Sequence, residues 1–510
     1  MTTNKGNRFF NKTIQLIVIA FIVKGLGFAR EMVLANYYGT SHVSDVFVAV
    51  QNIPSVIFTL FGIAVTTGFI PLYTEINVKK GKKTADKFAN NIFNIFLLFS
   101  IILCIVGMLF SKQLVTIFAG GFTGKTFELC NHFAKVIMPT SVAIVLGYVY
   151  NAYLQICGMF NQNSLMNVPY NIIQMIFIVL GFHLGNEYVL AIGLLLASYG
   201  QLIYLRVLMK RNTEFKHSWH LDLKQSHVKR MLILVGPVFI STGVNQLNSI
   251  VDKAMASRLV EGSISALNYS NEVANIVVQV IILSMTTILY PKMTELFAQN
   301  NEGEINSFVE IYLNIVSIVV IPLSIMFFFF SEEIVQILFG RGAFTAETVI
   351  FVSKALKVYS LGIVAASFRD VLNKIFYSMK NTVIPMANGV VAVAINIAMN
   401  FILVTKWEYL GLAFATVFST MICTFLMFIQ LWKKMKGLNA KGIVVKFLKA
   451  IVAAIIMVMT FYILEHVLPI ESCILKCIIY GCGGGITYFI ILIAEREKIV
   501  KKLIGSLLKL

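Results

Sequence analysis

The chain has 510 residues, of which 58% are hydrophobic and 13% charged, with a mean hydropathy of +0.81. Soluble domains carry about 25% charged residues, so a water-soluble enzyme is excluded, and apolar runs of about 18 residues or more along the whole length specify an all-α polytopic membrane protein. The net charge of +18 would suggest nucleic acid in a soluble protein, but here Lys and Arg gather in the loops between apolar runs, where they set topology and meet anionic membrane lipids.

The N-terminus, MTTNKGNRFFNK, is short and basic, and no small-residue cleavage site follows its apolar run. It therefore reads as a retained first helix and not as a removed signal peptide. That helix, residues 13–37, carries Lys24, Arg30 and Glu31 with Gly25 and Gly27 among them. At about 1.5 Å per residue the charges lie roughly 15–27 Å along the span. A charge at the bilayer centre costs about 2.5–3.5 kcal/mol on the mildest scale, so such residues face protein or a wet cavity. Lys24 and Glu31 share a face, and Arg30 stands one turn after Gly27. A cationic helix with glycines that allow a bend suggests a path for something anionic. Internal ion pairs that only hold the helix to its neighbours are the alternative.

Further spans are expected at 44–77, 88–110, 130–156, 164–183 and 188–209, then at 229–258, 264–297, 306–330, 347–378, 382–404 and 410–432, and finally at 443–465 and 471–494. The total is about fourteen. Basic loops follow the second, sixth, twelfth and fourteenth spans (Lys79, Lys80, Lys82 and Lys83; Lys210, Arg211 and Lys216; Lys433, Lys434 and Lys436; Arg496, Lys498, Lys501 and Lys502), and the alternate loops are poor in Lys and Arg. The positive-inside bias puts both termini in the cytoplasm, as an even number of passes requires. The segment 498–510 is basic and amphipathic and is expected along the inner leaflet.

A repeat runs through the first twelve spans. Thr66-Thr67-x3-Pro71-x2-Thr74-Glu75 returns as Thr286-Thr287-x3-Pro291-x2-Thr294-Glu295, Ser111 and Val115 return as Ser331 and Val335, and Met159-x-Asn161 returns as Met379-x-Asn381. The expected organisation is two pseudo-symmetric six-helix lobes, 1–210 and 211–436, with helices thirteen and fourteen and the tail at 437–510. Transporters built from such parallel repeats hold substrate between the repeats and alternate access to it.

Other signals are weaker. AGGFTGKT at 119–126 has Ala119 where a phosphate-cradling loop needs its first glycine, and no strand precedes it, so no nucleotide is expected. The seven cysteines include Cys473 and Cys477 four apart, but nothing completes a metal set. No catalytic triad or metalloprotease signature appears, so no catalytic residue and no cofactor are expected. Further cations stand on the seventh span (Lys253, Arg258) and the tenth (Lys354, Lys357, Arg369, Lys374), and converging Lys and Arg suit a pyrophosphate. Local pairing and snorkelling are the alternatives. Asp252, Asn396, Asn400 and Thr416 offer oxygen ligands for a monovalent cation, or glue between helices. Gly481, Gly483, Gly484 and Gly485 make a small-residue face, for tight packing or for a lipid-tail groove.

With these residues in view the chain resembles the MurJ (MviN) family of lipid II flippases, within the multidrug/oligosaccharidyl-lipid/polysaccharide exporter superfamily. The likeness is densest at KGLGFAREMVLANYYGTSHVSDVFVAVQNIP (24–54) and continues through GPVFIS (236–241), LFGRGAFT (338–345) and KIFYS (374–378). The family's first-helix pattern R-x-x-G-x-x-R-[DE] falls on Lys24, Gly27, Arg30 and Glu31, its aspartate at the start of the second helix on Asp45, and its proline on Pro54. Phe58 stands where an arginine often follows that proline, Glu272 replaces an arginine in the eighth helix, and Asn381 replaces an acidic residue.

The resemblance implies a V-shaped, fourteen-helix carrier in the bacterial cytoplasmic (inner) membrane with a cationic central cavity. The substrate would be undecaprenyl-pyrophosphate-linked peptidoglycan precursor, moved from inner to outer leaflet by alternating access, with the lipid tail near the last two helices. Lys24 and Arg30 would hold the headgroup, Glu31 would orient Arg30, and Asp45 would act as an external gate or partner. Lys253 or Lys357 would supply the charge missing at Phe58 and Glu272. Coupling to membrane potential or a monovalent cation, and association with the cell-wall synthesis machinery, complete the expectation. A flippase for another lipid-linked glycan (capsule, O-antigen or teichuronic type) is the main alternative, and a cation-coupled drug exporter a more distant one.

Overall fold

The computed structural model describes residues 2–299 and 302–495, and every regular element among them is helical. Nine of the described helices are long and apolar enough to cross a membrane, and a bent pair, Gly124–Ile137 with Thr140–Ile156 at 43°, makes a tenth. This is compatible with the fourteen passes expected. The basic segment 498–510 and Arg496 lie outside the described residues, as do the side chains of Thr286, Thr287 and Pro291 in the repeat. Two compact units are present, Met1–Ser265 and Ala266–Leu510.

The first unit begins with α1 (Thr2–Tyr38), then α2 (His42–Ala64), a π-helical turn (Val65–Phe69) and α3 (Ile70–Lys80). The π turn has a local cause. Pro71 cannot donate to the turn before it, and a widened turn is one way for a helix to absorb that loss. The Thr66 and Thr67 hydroxyls donate back to the Gly62 and Ile63 carbonyls at 3.1 and 2.7 Å. After α4 (Lys82–Leu109) come α5 (Ser111–Ala119), α6 (Gly124–Ile137), α7 (Thr140–Ile156), α8 (Phe160–Ser164), α9 (Asn167–His183), α10 (Tyr188–Asn212) and α11 (Ser226–Ala256). Gly68 in the π turn lies so close to α11 that a Cβ there would sit 2.7 Å from Met231 Cγ and 3.0 Å from Val235 Cγ2. Phe58, Phe69, Tyr73, Phe88, Phe93 and Tyr153 fill the apolar core of this unit.

The linker from α10 to α11 is held by a stripe of asparagines on α4. Asn90 donates to the Lys216 carbonyl (3.1 Å) and accepts from Ser218 N (2.8 Å), and Asn91 does the same for the Asp222 carbonyl and amide (2.8 and 2.7 Å). Asn94 donates to the Ser218 and His220 carbonyls at 3.0 Å, and its oxygen meets the His217 ring at 2.9 Å. Buried asparagines thus satisfy an irregular backbone that would otherwise lack partners.

The second unit contains most of α12 (Ser263–Gln299), then α13 (Glu302–Phe329), α14 (Ser331–Phe339), α15 (Ala346–Ser378), α16 (Val383–Lys434), α17 (Ala440–Val467) and α18 (Cys473–Ala494). α16 is two passes joined at Glu408, whose φ of 49° breaks the helix, within the expected gap 404–410. α17 packs on α13 through Ala450, Ala453, Ala454 and Met457, with Tyr480 and Tyr488 of α18 completing that core. Lys476 of α18 bonds Glu333 of α14 at 2.7 Å and Glu465 of α17 at 2.9 Å.

The repeat is visible in local geometry. Phe110 and Phe330 break the chain with nearly the same dihedrals (φ −100°, ψ 25° and φ −97°, ψ 25°), and each is followed by a nine-residue helix. The helix ends at Leu154–Met159 and Phe376–Asn381 are also alike. Met159 N donates to Leu154 O (3.0 Å) and Asn381 N to Phe376 O (2.9 Å), with Gly158 and Lys380 both at positive φ. The Met-x-Asn match of sequence falls two residues out of step with these caps.

Candidate functional site

α1 runs beside α9 in the same direction. A Cβ on Gly27 would lie 3.9 Å from the Asn171 amide, and eleven residues on the Tyr38 ring is 6.0 Å from Phe182 and its hydroxyl borders Gly181. Between these contacts Glu31 and Leu34 continue the same face of α1 and are 6% and 1% exposed. The Arg30 guanidinium donates to the Glu31 carboxylate, and both side chains are largely buried. A carboxylate beside a guanidinium fixes the plane of the fork and so the direction in which it can grip an anion. Lys24, nearly two turns earlier, is exposed. The expected segment is thus a helix with one oriented and one exposed cation.

Asp45 stands apart from it, at the start of α2, and is 3% exposed. Its carboxylate accepts from Gly262 N, Ser265 N and Ser265 Oγ, each at 2.7 Å. In return Glu261 Oε1 accepts from His42 N at 2.7 Å. The two helix starts therefore cap each other, each supplying a carboxylate to the orphan N–H groups of the other. The His42 ring adds contacts to Glu261 (3.4 Å) and Glu187 (3.8 Å), and Gly121 N donates to Ser257 Oγ at 2.9 Å. Gly262, at φ +89°, would place a Cβ 2.5 Å from the Thr40 carbonyl oxygen, so the two turns are in close contact. These loops all lie at the end of the first unit's helices opposite Lys79, Lys80, Lys210 and Arg211.

The remaining candidates are more dispersed. Lys253 of α11 reaches the Val48 carbonyl at 3.5 Å, one turn after Asp45, and Asp252 accepts from Asn248 at 3.1 Å. In the second unit Lys357 and Lys374 share α15 but are separated by about 25 Å of helix, so they do not grip one group together. Lys374 lies 5.7 Å over the Tyr290 ring, a cation–π contact. Asn400, Asn396 and Thr416 are brought together as a relay: Asn400 donates to Asn396 (3.0 Å), Asn396 to Thr416 (3.2 Å), and Thr416 to the Leu412 carbonyl (3.1 Å). Phe58 is 1% exposed within the apolar core, so that position is a packing position here. Of the four glycines of α18, Gly481 and Gly483 pack against Met326 and Leu464, Gly484 packs against Phe461, and only Gly485 is open. Asn171, Gln174, Glu261 and the asparagines of α4 were not singled out from sequence. Amide side chains inside apolar runs were the available signal for all but Glu261.

Three comparisons bear on this arrangement. The family profile "Lipid II flippase MurJ" matches residues 34–479, beginning just past Glu31. Proteins named "Probable lipid II flippase MurJ" align with the chain: that of Rickettsia prowazekii is 26% identical over 415 residues, 80% of each chain, and that of Vibrio cholerae is 26% identical over 456 residues, 86% of this chain and 84% of the relative. That of Buchnera aphidicola subsp. Acyrthosiphon pisum is 24% identical over 463 residues, 90% of each. Among solved structures, a lipid II flippase MurJ in an inward closed conformation superposes with a TM-score of 0.83 at 24% identity, covering 95% of this chain and all of that one. An inward-facing multidrug resistance MATE family transporter of the MOP superfamily superposes at 0.70 with 16% identity, covering 84% of this chain and 99% of that one. At these identities the structural likenesses establish the fold.

Proposed function

Because the chain belongs to the MurJ family of lipid II flippases, we propose that it carries the lipid-linked peptidoglycan precursor lipid II across the bacterial inner membrane, from the inner to the outer leaflet. The observation that carries this reading is the family match over 34–479. The chain is a multi-pass membrane carrier, and no covalent step is asked of it. Arg30, directed by Glu31, and the exposed Lys24 supply positive charge for the pyrophosphate. Asp45 acts as the latch of the outer end, with both termini in the cytoplasm. Lys253, one turn from that latch, adds a further charge for the headgroup. Lys357 and Lys374 are secondary headgroup contacts, and the two six-helix lobes with a two-helix appendix are the frame for alternating access.

Energy comes from the membrane potential, worth about 2.3 kcal/mol per charge per 100 mV, since an anionic headgroup leaving a negative interior moves downhill. A monovalent cation at Asn396, Asn400 and Thr416 is the other source. Cell-wall synthesis enzymes are the natural consumers of the product. The test is complementation of a flippase-depleted bacterium. The wild-type chain restores growth, and Arg30→Ala, delivered to the membrane in equal amount, does not. Full rescue by Arg30→Ala overturns the headgroup assignment, and failure of the wild type overturns the substrate.

A further inference from the structure

Gln174 is 1% exposed, and neither its amide oxygen nor its amide nitrogen has a partner. A leucine would fill the same space without that desolvation cost, so a buried, unbonded glutamine in a membrane-spanning helix calls for a ligand. Its surroundings follow from the packing. The buried face of α9 is Asn171, Gln174, Ile178 and Gly181, and the face of α1 against it is Gly27, Glu31, Leu34 and Tyr38. With Gly27 beside Asn171 and Tyr38 beside Gly181, Glu31 is level with Gln174. α10 covers the neighbouring face of α9, with Gly193 packed on Phe177 and Gly200 on Ile173. Asn171 donates from its amide nitrogen to the Asn167 carbonyl at 2.9 Å. Its amide oxygen and that of Gln174 remain as acceptors.

We propose that Glu31, Asn171 and Gln174 form a monovalent-cation site inside the first unit, and that a cation there competes with Arg30 for the Glu31 carboxylate. One carboxylate and two amide carbonyls are oxygen donors of the kind a hard ion takes. Arg30 and Glu31 together are neutral. A cation on Glu31 therefore hands the guanidinium to a phosphate, and a phosphate drawing Arg30 away opens the carboxylate to the cation. Ion and diphosphate then favour each other by the same factor. This coupling rests on the headgroup role proposed above for Arg30, whereas the cation site does not.

The experiment is equilibrium binding of sodium-22 to the purified full-length chain in detergent, with Gln174→Leu and Gln174→Glu beside the wild type. The site predicts that Gln174→Leu binds one sodium fewer per chain, or binds it at least tenfold more weakly, and that Gln174→Glu binds it more tightly. Sodium isotherms identical in all three overturn the site. Should Gln174→Leu fail to fold, Gln174→Glu alone decides, because an added carboxylate at a true site must tighten binding. A second measurement follows undecaprenyl pyrophosphate binding with and without sodium. A fivefold or greater rise in wild type and none in Gln174→Leu supports the competition, and a sodium-independent affinity overturns it. Loss of diphosphate binding in Arg30→Ala reports separately on the headgroup reading.

Discussion

Replacing Asp45 by alanine tests the mutual capping of α2 and α12. The carboxylate receives three hydrogen bonds at 2.7 Å from a turn more than 200 residues away in sequence, and it is almost wholly buried. Hydrogen bonds to a charged group are worth about 1.5–3 kcal/mol each, so three would sum to roughly 5–9 kcal/mol. That sum overstates the effect, because alanine also relieves the cost of keeping a charge out of water. The net loss is about 1.5–3 kcal/mol, the scale of one such bond, since Gly262 N and Ser265 N are left without acceptors. As about 1.4 kcal/mol is a factor of ten, backbone amide exchange at Gly262 and Ser265 should quicken roughly 10- to 100-fold. Hydrogen–deuterium exchange of peptides covering 257–268 reads this directly, and peptides from α18 serve as the internal control. Unchanged protection of Ser265 in Asp45→Ala would refute the capping argument. Asp45→Asn, which keeps one acceptor oxygen, should fall between.

Three further outcomes follow from the same structure. Gly68→Ala puts a methyl against Met231 and Val235, and overpacking of this kind costs about 1–3 kcal/mol; a lower melting midpoint in detergent is expected, and an unchanged one contradicts the close approach. Burial first, and then Arg206, hold the His217 imidazole below its ordinary pKa, so the released linker binds more protons than the docked one below about pH 6.5. Docking is then at full strength above that pH and weakens as pH falls towards 5. Limited proteolysis within 213–225 should rise over that window in wild type and stay flat in His217→Gln, and equal rates in both proteins would refute it. Lys476→Met leaves the largely buried Glu333 carboxylate without its cation and should lower the melting midpoint, whereas adding Glu333→Gln should restore most of the loss; a double variant no better than the single one contradicts the pairing.

The passes were legible because a membrane helix is written as an apolar run, and even the break at Glu408 fell in a gap between two such runs. The Arg30–Glu31 pair was legible because charges inside an apolar run attract notice. The partners of Asp45 were not, since two of the three donors are backbone amides 217 and 220 residues away, and a backbone N–H leaves no mark in a sequence. The linker clasp was half visible: Asn90, Asn91 and Asn94 make a polar stripe in an apolar helix, but what it binds is irregular chain of unrelated composition. Phe58 was judged by what it replaced, and its packing in an aromatic core could only be seen in three dimensions. The glycines of α18 suit a groove or tight packing equally well by composition, and neighbouring bulky side chains decide three of the four.

The central claim is that this chain moves lipid II with Arg30 as the guiding charge. Vesicles reconstituted with the purified chain and fluorescent lipid II, read by a membrane-impermeant quencher, test it most directly. Wild-type vesicles should equilibrate the lipid between leaflets far faster than protein-free ones, and Arg30→Ala vesicles should match the protein-free rate. Equal rates with and without the wild-type chain, or full activity in Arg30→Ala, would contradict it.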